Sequence, residues 1–282
     1  MNHKLKGYEV GIKMERIITA DRCIDVSSEE YEVLGKSRRR FILKNKFRRL
    51  AATNRLGVLW IGINPIVEAV IYLFVFTVIR GRTSPIALFI GIVLFKVVEE
   101  SFRSGVGSVK DFTGGLKCER VRTKNLVIPM IQYRVIDTLT KAAGVSLILF
   151  FGLDVGINGI LGVIIITQIC GILFEGVGLN MAKLAHRIPD INFAIRHFFR
   201  FMFYASPALY PMGQTDGIHY QFNELNPFSY FVELARYCAE TDSVFLEMNM
   251  SIFAFFMISL MTFTYRGYTQ IDKQRWELTA WS

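Results

Sequence analysis

Between Arg38 and Pro65 the sequence reads RRRFILKNKFRRLAATNRLGVLWIGINP, a basic amphipathic stretch that passes directly into an apolar one broken once by Asn64-Pro65. Leu43, Phe47 and Leu50 fall on one helical face, and Arg40, Lys44 and Arg48 fall on another. That arrangement is how a helix lying along a membrane surface is written. Nine Lys and Arg residues from Lys36 to Arg55 stand just before the apolar run. They attract anionic lipid and predict an N-terminus on the cytoplasmic side. A nucleic-acid-binding arm is the rival reading, and the apolar run that follows counts against it.

The rest of the chain continues in the same sense. Hydrophobic residues make up 52% of the 282, and 24 of them are Phe, which is too apolar for an ordinary soluble fold of this length. Six spans are predicted, at about 58–79, 85–103, 127–153, 157–183, 193–211 and 248–265, each near the ~20 residues that a ~30 Å hydrocarbon core requires. Arg196, His197 and Arg200 occupy the start of the fifth, which places that end at an interface with its cations snorkelling. Charge asymmetry fits a topology with both termini cytoplasmic. The 103–124 segment holds six cations (Arg103, Lys110, Lys117, Arg120, Arg122 and Lys124), whereas 212–247 holds Arg236 against six acids. Arg80 and Arg82 go against the rule. The net charge of +9 is therefore a topological signal more than a sign of acidic substrates.

The first 35 residues are too charged for a cleaved signal peptide, so the first span is expected to serve as the targeting signal. Cys23, Cys118, Cys170 and Cys238 have no short spacing and suggest neither a metal site nor a disulfide framework. No internal repeat of the secondary-transporter kind is visible. Gly35-Lys36-Ser37 imitates the end of a phosphate-binding loop, but Glu30 stands where the preceding glycine is needed. No HExxH, nucleophile elbow or His and carboxylate cluster is present, so the energy for any energised work by this chain would come from elsewhere.

Glu68, Lys96, Lys141 and Glu175 fall inside predicted spans, where ionisable groups are functional candidates. At ~1.5 Å per residue, Glu68 lies roughly 16 Å along the first span and Lys96 roughly 16 Å along the second, so the two meet near the midplane. Such a pair either staples two helices or lines a hydrated pathway. Lys96 also has Glu99 and Glu100 at i+3 and i+4 and is alternatively satisfied within its own helix. Glu175 has no partner in the sequence pattern. Tyr72 and Phe76 stand four apart in the first span, and Phe199, Phe203 and Tyr210 share a face of the fifth. Aromatic rings stack on sugars, and membrane helices also carry them toward lipid, which spacing alone favours.

Several local patterns together resemble the permease subunit of ABC-2-type polysaccharide exporters, the family that moves O-antigen, capsular polysaccharide and wall teichoic acid. They are Asn54-Arg55-Leu56-Gly57 with Leu59-Trp60 and Asn64-Pro65, then Tyr72 and Val75-Phe76. Arg187 with Asp190-Ile191, then Tyr204, Ser206-Pro207 and Tyr210, and finally Leu225-Asn226-Pro227 with Arg236 complete the series. The stretches GIVLFKVVEESF and LKCERVRTKNLVIP depart from it, lacking a second-span tryptophan and an aromatic-Pro element.

The resemblance implies an all-α membrane protein of six transmembrane helices, with an N-terminal amphipathic interface helix and re-entrant helices in the last outer loop. It divides the chain into a polar segment 1–36, the interface helix 37–56, a transmembrane domain 57–266 and a cytoplasmic tail 267–282. It implies a homodimer in the cytoplasmic membrane around a central conduit. Each copy would dock on a separate ATPase chain, with ATP and Mg bound by that partner and no cofactor in this chain. Tyr72, Phe76, Phe199, Phe203 and Tyr210 would line the conduit, and Arg55 would meet a lipid pyrophosphate. Residues 37–56 and the 103–124 loop, through Arg103, Lys110, Asp111, Lys117 and Arg120, would contact the ATPase. Gly105, Gly107, Gly114 and Gly115 would bend that loop. The re-entrant helices map to 212–247, where Phe228, Phe231, Val232 and Ala235 follow helical spacing after the helix-starting Asn226-Pro227. The expected cargo is an undecaprenyl-type lipid-linked polysaccharide or teichoic acid. The alternatives are another ABC-2 cargo, such as a drug, lipid or peptide, and an ATP-independent channel or scaffold.

Overall fold

The computed structural model describes residues 15–18, 23–26, 28–53, 84–111 and 123–279, with isolated positions between 63 and 74. Most of the first predicted span and all of the segment 112–122 therefore lie outside the described residues. A short antiparallel hairpin of β1 (Glu15–Ile18) and β2 (Cys23–Val26) pairs Glu15 with Val26 and Ile18 with Cys23. All the other regular elements described are helical.

The basic amphipathic stretch forms α1 (Ser28–Thr53), which begins at Ser28 rather than at residue 37. Arg40, Lys44 and Arg48 are exposed and Leu43 and Phe47 half-buried, as their periodicity requires. The Phe47 ring lies 5.3 Å from that of Tyr133, with Lys46 Nζ 4.4 Å from the same ring. Gly35 is a packing residue here, since a Cβ on it would stand 2.9 Å from Asn125 Nδ2.

Three described helices are long and apolar enough to cross a membrane: α3 (Thr123–Gly152), α4 (Ile157–Arg187), and the Met250–Ile271 part of α8 (Met250–Thr279). They coincide with the third, fourth and sixth predicted spans. The second predicted span lies in α2 (Pro85–Asp111), which Pro85 opens at a position where its missing N–H is no loss. This helix continues past residue 103, so Gly105 and Gly107 are helical and not part of a bent loop. The fifth predicted span is also corrected. Its helix, α5 (Ile191–Ala205), has 15 residues, about 22 Å at 1.5 Å per residue and short of a ~30 Å hydrocarbon core. It ends where Ser206 turns extended before Pro207, as the residue ahead of a proline must.

Two shorter helices follow, α6 (Gly217–Glu224) and α7 (Pro227–Cys238). The expected start of α7 is observed: the Asn226 side chain accepts from Phe228 N at 3.1 Å, with Pro227 in the first turn. Phe228, Phe231, Val232 and Ala235 are all buried, and they join the core built by α2 and α4.

At the centre of the packing lies α4, against α2, α3, α7 and α8. Glycines let these backbones touch, as small residues do between membrane helices. A Cβ at Gly178 would stand 2.2 Å from the Phe102 carbonyl oxygen, and one at Gly267 would stand 2.1 Å from that of Gly176. Gly178→Ala must therefore push α2 and α4 apart, and it is expected to destabilise the protein by roughly 1–3 kcal/mol. Nothing described lies within 4 Å of a Cβ at Gly107, so Gly107→Ala should leave stability unchanged or raise it by up to about 1 kcal/mol. Thermal unfolding in detergent micelles checks both, and equal midpoints for the two variants would reject the packing argument.

Candidate functional site

The helix bundle holds a network of buried charges. On α3, Arg134, Asp137, Thr138 and Lys141 fall at i, i+3, i+4 and i+7, one continuous face, and all four are buried. Arg134 Nη1 donates to Asp137 Oδ2 at 2.7 Å, and Arg134 Nη2 donates to Glu175 Oε1 of α4 at 3.1 Å. Lys141 Nζ reaches the same Asp137 oxygen at 2.9 Å and pairs with Glu100 of α2. Glu175 is 0% exposed and collects two further donors, Ser104 Oγ at 3.2 Å and Tyr268 OH of α8 at 3.1 Å. Thr138 Oγ1 bonds Gln168 Oε1 at 2.7 Å. Gly171 makes room for this face, since its Cβ would stand 2.5 Å from Thr138 Cγ2.

Ions removed from water need such partners, because an isolated buried charge costs several kcal/mol. Here the four long helices share that compensation, which ties α2, α3, α4 and α8 at one level. The amphipathic helix connects to this level. Its Phe47 and Lys46 sit on Tyr133, the neighbour of Arg134, and its Ile42 packs against the cluster containing Tyr268.

A second knot holds α7. Arg236 and Glu233 are both 0% exposed and joined at 2.8 Å. Arg236 also donates to three carbonyl oxygens: Ala87 at 3.0 Å, Tyr210 at 3.1 Å and Pro207 at 2.7 Å. Glu233 in turn accepts from Met212 N at 3.2 Å and Val244 N at 3.0 Å. The start of α2, the chain leaving α5 and the segment before α8 are thereby bound to one helix turn.

The residues proposed from sequence are distributed unevenly over this framework. Lys96 lies 3.7 Å from Glu99, the within-helix alternative, while Glu68 is outside the described residues. Lys141 and Glu175 join one network. Phe199 and Phe203, expected on a conduit wall, are corrected to core positions at 5% and 6% exposure. Phe203 and Phe199 pack on Phe95, with centroids at 5.2 and 6.1 Å. Phe198, Phe201 and Tyr204 form the open aromatic face of α5 instead. Tyr210 is half-buried, its hydroxyl donating to Ala205 O and lying 2.6 Å from His219 Nε2. Arg103 is about half exposed and 3.3 Å from Glu99. Lys110 and Asp111 end α2, with their side chains outside the description, and Arg55, Tyr72, Phe76, Lys117 and Arg120 lie outside the described residues. Sequence reasoning missed Arg134 and Asp137, although their i, i+3 spacing with Lys141 at i+7 was in view.

Residues 39–239, well over half of the chain, match the family described as ABC-2 type transporter. No curated protein matches the chain.

Proposed function

The chain belongs to the ABC-2 type transporter family, and from that premise we propose that it carries a lipid-linked polysaccharide or teichoic acid outward across the cytoplasmic membrane. Members of this family are the membrane subunits of ABC transporters, the permease part, which has no ATPase site. Two copies work with two copies of a separate ATPase that binds ATP and Mg. One observation supports the cargo reading. Ser206-Pro207, Tyr210, Asn226-Pro227 and Arg236, which carry part of the resemblance to polysaccharide exporters, belong to one connected assembly: Arg236 donates to Pro207 and Tyr210, and Asn226-Pro227 starts its helix. Scattered short motifs are thus parts of a single device.

In this reading Tyr72, Phe76 and Tyr210 line the conduit together with Phe198, Phe201 and Tyr204, while Phe199 and Phe203 are the packed backing behind them. Arg55 meets the lipid pyrophosphate, and Arg55→Ala that inserts and transports normally would remove that role. The ATPase is met by α1 and by Arg103, Lys110, Asp111, Lys117 and Arg120. Its closure reaches the buried network through Phe47 and Tyr133.

The test is co-purification of the tagged chain with the ATPase encoded beside it, then ATP hydrolysis in lipid nanodiscs with and without undecaprenyl-linked glycan. Stable association with glycan-stimulated hydrolysis is the expected result. Association without stimulation would overturn the cargo, and no association would overturn the paired-ATPase mechanism.

A further inference from the structure

A cleft of about 380 Å³ opens between the inner part of α2 and the start of α5, lined by Glu100, Arg103, Ser104, Asn192, Ile195 and Arg196. Its volume suits a small ligand, and its polar groups are selectively occupied. Glu100 is engaged by Lys141, and Glu99 nearby is shared between Arg103 and Lys96. Ser104 Oγ donates to Glu175 Oε1, and Asn192 Nδ2 donates to Pro189 O at 3.1 Å. Arg103 uses Nη1 on Glu99, which leaves the rest of its fork. Arg196 places its guanidinium carbon 5.4 Å from the Phe193 ring centroid, a cation–π contact and not an ion pair. The cleft is therefore lined by two guanidinium groups and by one carboxylate, Glu100, which pairs with Lys141.

We propose that this cleft binds a phosphate or phosphodiester group between Arg103 and Arg196. A phosphate monoester or pyrophosphate presents three or more oxygens to the two forks, and a phosphodiester offers one non-bridging oxygen to each, a tetrahedral spread that guanidinium donors match. The inference is independent of the glycan cargo, because membrane phospholipid carries the same group. It gives Arg103 a ligand in addition to the ATPase contact proposed above.

The test uses the full chain in phosphatidylcholine nanodiscs, titrated with inorganic pyrophosphate by calorimetry. A second arm measures retention of phosphatidylglycerol by native mass spectrometry after purification from mixed vesicles. Binding in the first arm assigns a free phosphate and in the second a lipid headgroup, and either supports the proposal. Arg103→Gln and Arg196→Gln are each expected to weaken binding ~10-fold or more, at unchanged thermal midpoint because neither side chain is buried. Arg200→Gln makes the same charge change on the exposed face of α5, outside the cleft lining, and should leave affinity within about 2-fold. Equal losses for Arg200→Gln and Arg196→Gln, or binding in neither arm, would overturn the proposal.

Discussion

Glu175→Leu is expected to destabilise the protein by roughly 3–5 kcal/mol, measured as a shift in reversible unfolding in mixed micelles. The carboxylate is 0% exposed and accepts from Arg134, Ser104 and Tyr268. Removing it leaves Arg134 buried with Asp137 alone, an acid that Lys141 already shares. Two hydroxyls lose their acceptor at the same time. The double variant Arg134→Met with Glu175→Leu separates the loss of a pair from the loss of one partner. Apolar replacement of a whole buried pair is often neutral, and Lys141 keeps Asp137 and Glu100, so the double variant should recover most of the loss. A single-variant effect under about 1 kcal/mol, or a double variant as weak as the sum of its parts, would show that this level of the bundle is not held by charge.

What the sequence disclosed depended on whether a signal was local. The cap and apolar stripe of α7 are local, since Asn226-Pro227 and the helical spacing from Phe228 to Ala235 need no knowledge of the partner. The exposed face of α1 was legible for the same reason. The early end of α5 was also written locally, in Ser206-Pro207, but the apolar run through Leu209 concealed it. Glu175 could be recognised as an intramembrane charge, yet its partner Arg134 lies 41 positions away on another helix, beyond any periodicity. Phe199 and Phe203 were misassigned because α5 carries aromatic rings on both faces. Hydrophobic spacing then cannot say which side is inward. The packing glycines show the same dependence on tertiary structure, because Gly178 and Gly107 look alike until Phe102 is placed.

Arg236→Met should detach α7 locally as well as lower stability. The substitution removes four donated hydrogen bonds, to Ala87, Pro207, Tyr210 and Glu233. Glu233 then stays buried with only backbone N–H groups from Met212 and Val244. Breaking one side of a buried pair is expected to cost roughly 3–5 kcal/mol. Arg236→Lys should rescue little, because a point ammonium cannot serve carbonyls that lie along three edges of a guanidinium. Cys238 offers a local readout two residues further along α7. Its thiol is half-buried, and its sulfur stands 2.9 Å from where a Cβ on Gly162 would be. If Arg236 holds α7 in the bundle through α2 and the chain leaving α5, Arg236→Met will increase maleimide labelling of Cys238, mapped by peptide mass spectrometry, at temperatures where the rest of the bundle stays folded. Unchanged labelling alongside a lowered midpoint would assign Arg236 to global stability alone, and the coupling between α7 and the segment leaving α5 would have to run through the apolar face of Phe228 and Phe231 instead.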